Sequence, residues 1–337
     1  MNCDVLDLFA GAGGWDYALQ NLGYDPLGIE MDASANYTAK ANGLARRAGD
    51  LNLLSPFDWK AKGLVASPPC QAFSVAGTGR GRNELENLVV AAKAYHAGVL
   101  DWKETVHYVD VRSTDWRTHL ALVPLYWTLN VKGVGWTCWE QVPPILWLWE
   151  TCAKVLRDRG WNAWTGLLNA EQYGVPQSRK RAVLIASRSH EVDRPEPTHS
   201  LYHFRHPERC DEGVKPYVSM AEAIGVDRDA ALRSNYGVGG NSSDRGVRFG
   251  WQPANTITGK SSRSKWETGE ALSLEQAATL QSFPAGRQWR GEKRKQWEQV
   301  GNAIPPVMAE AIVRTACNLP SDASPACVTA DAPTGSA

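Results

Sequence analysis

The chain has 337 residues, 43% hydrophobic and 21% charged, which is enough to bury a core in one large or two moderate soluble domains. Its formal net charge is zero, which excludes a bulk electrostatic pull on nucleic acid or anionic membrane and leaves any such contact to local basic patches. The seven cysteines (3, 70, 138, 152, 210, 317, 327) form no C-x-x-C pair, so neither a metal site nor a disulfide framework is expected. A reducing cytoplasm is the expected location. No basic segment followed by an apolar core opens the chain, so no secretory signal is expected. The apolar run "ILWLW" (145–149) is cut off by Pro144 and Glu150, well short of a membrane span.

The first elements are read from "DVLDLFAGAGGWDYALQNLGYDPLGIEMD". An apolar strand over Val5 to Phe9 runs into a turn with Gly11, Gly13 and Gly14. Trp15, Ala18, Leu19 and Leu22 then recur as one face of a helix, with Gly23 as its C′ residue. A second strand, Pro26 to Ile29, ends at Glu30. Strand, glycine turn, helix, strand and acid make a βαβ unit that opens an α/β domain. A carboxylate there can accept both ribose hydroxyls of a nucleoside, while the glycines let the ligand approach the backbone. Asp16 stands where the dinucleotide fingerprint G-x-G-x-x-G needs a small residue. An adenosine ligand without phosphates therefore fits better, and S-adenosylmethionine is the candidate. A glycine-rich first turn alone is common to many α/β proteins. The next step adds a helix at "ASANYTAKANG", Asp50 placed for an adenine amino group, and a strand, Leu64 to Ala66.

That strand leads through Pro68 and Pro69, which restrict the backbone, straight to Cys70. Ligands of doubly wound sheets bind beyond the carboxyl ends of the strands, so the thiol is expected beside the cofactor. An isolated cysteine is more often a small buried apolar side chain. This one has company. Arg80 and Arg82 follow on a glycine-rich loop, Glu140 ends another apolar strand, and Gln177, Arg179 and Arg181 alternate before the strand Ala182 to Ala186. A thiol, an acid and a guanidinium are what addition to a cytosine ring requires. Sulfur attacks C6, the protonated acid serves N3, an arginine holds O2, and C5 becomes nucleophilic toward a methyl donor.

At this point the sequence resembles the cytosine-C5 DNA methyltransferases. The matching segments run in order: "DLFAGAGGW", Glu30 with Asp32, Asp50, "PPCQAFS", "WEQV", "QYGVPQSRKR", "LSLEQAATLQSFP" and "QVGNAIPP". The resemblance implies a Rossmann-like S-adenosylmethionine-dependent domain with a small inserted target-recognition domain. It implies a cofactor site with Phe9, Gly11, Gly13, Gly14, Glu30, Met31, Asp50, Leu51, Pro68 and Asn302. Cys70 would be the nucleophile, Glu140 the N3 partner, and Arg179 and Arg181 the pyrimidine and loop-anchoring arginines. Gln71, Ser74, Arg80, Arg82 and Gln177 are expected at double-stranded DNA, with the target base flipped out of the stack.

Two departures stand out. The family usually reads Glu-Asn-Val where this chain has Glu140-Gln141-Val142, and the segment around residues 84–114 is longer than usual, with a plain surface insertion as its simplest reading. After Ser187 the texture becomes rich in Pro, Gly, Ser and charge. The expected organisation is a catalytic part at 1–186, target recognition at 187–270, a returning catalytic part at 271–317, and a disordered tail at 318–337. Arg245, Arg248, Lys260 and Arg263 are expected to contact DNA there. "RQWRGEKRK" (287–295) offers a further phosphate-contacting patch. Ser273 and Gln276 fit a capping box, and Pro305 and Pro306 suit the first turn of a last helix, which by resemblance packs beside the first strand. The chain is expected to act as a monomer, with a separate cognate restriction endonuclease as a possible partner. RNA cytosine methylation and a non-catalytic DNA-binding paralogue are the alternatives.

Overall fold

The computed structural model describes residues 1–69, 80–234 and 246–320, apart from the side chains of residues 80–82. Cys70, Gln71, Ser74, Arg245, the side chains of Arg80 and Arg82, and residues 321–337 lie outside the described residues.

The opening half follows the expected βαβ order: β1 (Val5–Leu8), α1 (Gly14–Asn21), β2 (Pro26–Glu30), α2 (Ala33–Ala41), β3 (Arg46–Ala48) and β4 (Gly63–Ala66). Next come α3 (Arg80–His96), α4 (Trp102–Asp110), α5 (Val123–Asn130), β5 (Trp136–Gln141), α6 (Leu146–Asp158), β6 (Asn162–Asn169), β7 (Gln177–Ser178) and β8 (Lys180–Ser187). The remainder comprises α7 (Met220–Ile224), β9 (Ala231–Arg233), β10 (Val247–Phe249), β11 (Ala254–Asn255), β12 (Lys265–Trp266), α8 (Leu274–Leu280), α9 (Lys293–Asn302) and α10 (Pro306–Ala316).

Among the described residues, seven strands form one sheet in the order β3-β2-β1-β4-β5-β8-β6. It is parallel except for β8, which runs antiparallel to both neighbours. The chain leaves β1 toward β2 on one side and returns to β4 on the other, so the switch point lies between β1 and β4. A crevice opens beyond the carboxyl ends of such strands. The buried strands read as near-continuous apolar runs because helices cover both faces. Successive residues feed opposite cores: Leu64 and Ala66 face a cluster with Trp59, Trp127, Trp139 and Trp149, while Val65 faces one with Trp15, Ile304 and Ile312.

β1 stops at Leu8, one residue earlier than expected, because Phe9 adopts a left-handed φ of 61°. Such a conformation in a residue with a side chain is strained and persists where its surroundings enforce it. At Gly14 a Cβ would lie 2.3 Å from the Ile304 carbonyl oxygen, so only glycine lets the α1 start meet the segment before α10 this closely. α10 packs on α1 and shares a cluster with Val5, and Pro306 opens it as expected. Ser273 and Gln276 form the expected reciprocal capping box on α8.

The segment around residues 84–114 is packed against the core. Leu85, Leu88, Val89, Ala91 and Ala92 of α3 belong to the main core, and buried Glu84 accepts from Thr114 N (3.1 Å), Thr114 Oγ1 (2.7 Å) and Thr118 Oγ1 (3.2 Å). Beyond β8, a three-stranded sheet in the order β10-β9-β12 and the short β11–β7 pair surround a third cluster. That cluster joins Met220, Leu232, Ala254 and Trp266 to Leu272, Leu280, Trp297 and Val300.

Glu171 precedes β7, is 4% exposed, and accepts from Arg179 N at 3.4 Å. Burial pushes its carboxyl up to about 7. A proton bound more tightly in the folded chain adds stability that is complete below the unfolded value and lost as pH rises through about 7. Thermal unfolding between pH 5 and 8 should therefore show a falling Tm, and Glu171→Gln should flatten this dependence.

Candidate active site

Residues from the ends of β1, β2, β4 and β5, joined by the segments around residues 116–120 and 295–304, enclose a cavity of about 610 Å³. At the β1 end the glycine turn is held from below. Arg46 donates from Nη1 and Nη2 to the two oxygens of Asp16, both at 2.8 Å, and both side chains are fully buried. Burial, and then the adjoining Asp16 carboxylate, push the Asp7 carboxyl well above the ordinary carboxylate range, so this strand acid sits neutral. Arg287 lies among the rings of Tyr17, Phe283 and Trp289 at 4.6, 4.8 and 4.9 Å and donates to the Ala12 carbonyl. Burial lowers its guanidinium to about 10.

At the β2 end, Glu30 accepts from Gly11 N through Oε2 (2.8 Å) and from Asp32 N through Oε1 (2.7 Å). Two backbone donors fix the carboxylate and leave lone pairs toward the cavity. Phe9, Gly11, Gly14, Met31, Asp50, Leu51, Pro68 and Asn302 line the same space. Gly13 is the left-handed N-cap of α1 beneath it, with φ 99°. Trp116, Arg117 and Leu120 complete the wall, and no sequence signal in their own stretch marked them. His119 bridges Asp110 of α4 (Nδ1, 2.6 Å) and Asn52 (Nε2, 2.9 Å), and so joins the extra segment to the Asp50 loop.

The β4 and β5 ends meet through side chains. Glu140, 3% exposed, accepts from Arg181 Nε at 2.7 Å through Oε1 and from Ser67 Oγ at 3.0 Å through Oε2. Ser67 in turn accepts from Trp15 Nε1 at 2.9 Å. Gln141 donates to the Pro68 carbonyl, and its Oε1 accepts from Val142 N at 2.6 Å. The longer side chain in place of the usual Asn therefore ties the acid strand to the proline platform that carries the chain into Cys70. Sequence reasoning passed over Ser67; the available signal was a lone hydroxyl at the end of an apolar strand.

The two arginines are held differently. Arg181 holds Glu140. Arg179, 2% exposed, donates to the Ile257 (3.0 Å), Gly301 (3.1 Å) and Ala303 (2.9 Å) carbonyls, and so anchors both returning segments.

Three expectations about DNA contacts change. Gln177 is fully buried, with its amide between Leu280 O (2.9 Å) and Ile257 N (2.9 Å), so it braces the interior. Arg248 folds back over Tyr202 (4.9 Å) and Phe204 (5.1 Å) and donates to Asn255 Oδ1 at 3.1 Å, because packing on its own aromatic residues claims the guanidinium. Arg287 leaves the expected basic patch for the aromatic clamp just described. Lys260 and Arg263 are exposed on one short turn.

A doubly wound sheet with a glycine turn, a backbone-held acid at the end of β2 and a cavity at the switch point is a Rossmann-like methyltransferase architecture. The family described as C-5 cytosine-specific DNA methylase matches residues 3–92 and 147–231. The chain belongs to this family and is a DNA cytosine-5-methyltransferase. It is 26% identical over 344 residues to the type II methyltransferase M1.HphI of Haemophilus parahaemolyticus, covering 93% of this chain and 86% of that one. It is likewise 26% identical over 359 residues to M.NaeI of Lentzea aerocolonigenes, covering 97% and 78%. Among solved structures, S. pombe Dnmt2 methyltransferase superposes with a TM-score of 0.61 at 18% identity, covering 94% of this chain and 100% of that one. A DNA modification methyltransferase described as putative, encoded within an E. coli prophage, gives 0.59 at 16%, covering 95% and 99%. No helix among the described residues is long and apolar enough to cross a membrane.

The family implies use of S-adenosylmethionine, and the cavity suits it: a fixed carboxylate, close backbone at Gly11 and Gly14, and apolar walls from Leu51 and Ile304. Trp116→Ala should raise the KM for S-adenosylmethionine about three- to tenfold, as expected for loss of one aromatic contact, with kcat little changed. Gln141→Ala should lower kcat by about tenfold while the fold, checked by circular dichroism, is kept.

Proposed function

We propose that this chain methylates C5 of a cytosine flipped out of duplex DNA, through a covalent adduct of Cys70 at C6. The observation that supports it best is the position of Glu140, which is buried in the cavity wall with Arg181 on one oxygen. Pro68, two residues before Cys70, is tied to the neighbouring Gln141. The strand that precedes Cys70 in sequence and the strand that carries Glu140 are neighbours in the sheet.

In this reading the thiolate adds to C6 and electron density moves to C5. With the base seated, Glu140 presents a cavity-facing lone pair to the N3 edge, relays a proton from solvent to N3, and so stabilises the adduct. Arg181 orients that acid and lies beside the pyrimidine, while Arg179 anchors. S-adenosylmethionine, when bound, supplies the electrophilic methyl group. Phe9, Gly11, Gly13, Gly14, Glu30, Met31, Asp50, Leu51, Pro68 and Asn302 would hold it. After transfer, loss of the C5 proton lets the thiol leave. Extrusion of the base is required because C6 is otherwise enclosed by stacked neighbours.

We assign target recognition to residues 187–270, whose exposed Lys260 and Arg263 suit phosphate contact. The core beneath them is shared with α8 and α9. Gln71, Ser74, Arg80, Arg82 and Arg245 remain proposed DNA contacts. One chain carries both thiol and acid, so a monomer suffices. The type II names of the relatives support a separate restriction endonuclease as functional partner.

Bisulfite sequencing of plasmid DNA from expressing cells should reveal 5-methylcytosine at one short sequence. Cys70→Ser should lower tritiated methyl transfer to that sequence by about a thousandfold or more. A mutant of full activity would refute the covalent route.

A further inference from the structure

We propose that Ser67 is a positioning residue for methyl transfer, its hydroxyl aimed by Trp15 so that it fixes the plane of the Glu140 carboxyl group. This rests on the reading of Glu140 as the partner of N3. The placement follows from strand register. Ala66 of β4 stands opposite Trp139 of β5, so the next residues, Ser67 and Glu140, emerge side by side at the sheet edge.

A serine hydroxyl has one proton and two lone pairs. The indole N–H of Trp15, 2.9 Å away, can only donate, and it takes one lone pair of Ser67 Oγ. The hydroxyl proton cannot point back at a donor, so it points at Glu140 Oε2, 3.0 Å away. Trp15 is 2% exposed and held in the core, which keeps this polarity fixed. From the other side Arg181 Nε donates to Oε1 at 2.7 Å. Two donors of fixed direction, one on each oxygen, set both the torsion and the plane of the carboxyl group. Its remaining lone pairs are then presented to the cavity that it lines.

The hydroxyl is not needed to hold the platform itself. Ser67 N donates to the Leu8 carbonyl at 3.3 Å, and Gln141 holds the Pro68 carbonyl; both ties are independent of the Ser67 side chain. The loss expected on removing the hydroxyl is therefore one of orientation at the acid.

The test uses the full chain and duplex DNA carrying the sequence found by bisulfite sequencing. Ser67→Ala should lower kcat for methyl transfer about ten- to a hundredfold, the loss of one hydrogen bond to a charged group, with the KM for S-adenosylmethionine and for DNA within about twofold. Covalent trapping on the same duplex with 5-fluorocytosine at the target should slow in parallel. Ser67→Thr, which keeps the hydroxyl, should recover most of the rate. Trp15→Phe, which keeps a ring and removes the N–H, should fall between Ser67→Ala and the unaltered protein. Unchanged kcat in Ser67→Ala, a defect confined to KM, or equal loss in Ser67→Thr and Ser67→Ala would overturn the proposal. Glu140→Ala serves as the separate control: full activity there would remove the reading of the acid itself, whereas an inactive Glu140→Ala beside a fully active Ser67→Ala would remove the Ser67 proposal alone.

Discussion

The contact on which the site depends is the one between the ends of β4 and β5. Their parallel register places Ser67 against Glu140 and Pro68 against Gln141, and two side-chain hydrogen bonds close the gap. A buried carboxylate is costly unless it is paired and hydrogen-bonded. Here Arg181 and Ser67 supply those partners, one on each oxygen. Removing one partner of such a buried pair typically costs about 3–5 kcal/mol, because the other charge is left uncompensated. The strand that carries Glu140 also holds the proline segment, because Gln141 donates to the Pro68 carbonyl and Pro68 and Pro69 restrict the backbone there.

The glycine turn depends on a second buried arrangement. The backbone lines the cavity at Gly11 and Gly14, where no side chain can brace the loop. Its rigidity comes from below, from the Arg46–Asp16 pair, and from the side, from Arg287 on the Ala12 carbonyl. Burial and the Asp16 carboxylate raise the Asp7 carboxyl, so it adds little charge beside the Arg46–Asp16 pair. Neither Arg46 nor Arg287 lines the cavity, yet both bear on the shape of its floor.

Features that depend on near neighbours were legible in the sequence. The βαβ unit, the acid at Glu30, the capping box at Ser273 and the start of α10 at Pro306 all rest on spacing within a few turns of chain. The strand ends carrying Glu140 and Arg181 were legible too, because apolar runs with a polar terminus report a sheet edge. What was not legible depended on partners far away in sequence. Gln177, Arg248 and Arg287 look like surface contacts by residue type, yet each is claimed by groups tens to hundreds of residues distant. Trp116 gave no local signal; the residues on either side of it, Thr114 and Thr118, are tied to Glu84 on a distant helix. Ser67 was overlooked because its meaning lies in Trp15 and Glu140 together.

The wall supplied by Trp116, Arg117 and Leu120 has an architectural consequence. Because α3 is rooted in the main core and His119 reaches from Asp110 of α4 across to Asn52, these two helices and the Asp50 end of the cavity are one mechanical piece. A shortened version of this chain lacking those helices would leave the wall at residues 116–120 without its ties to Glu84 and Asp110, so this length is better understood as masonry than as ornament.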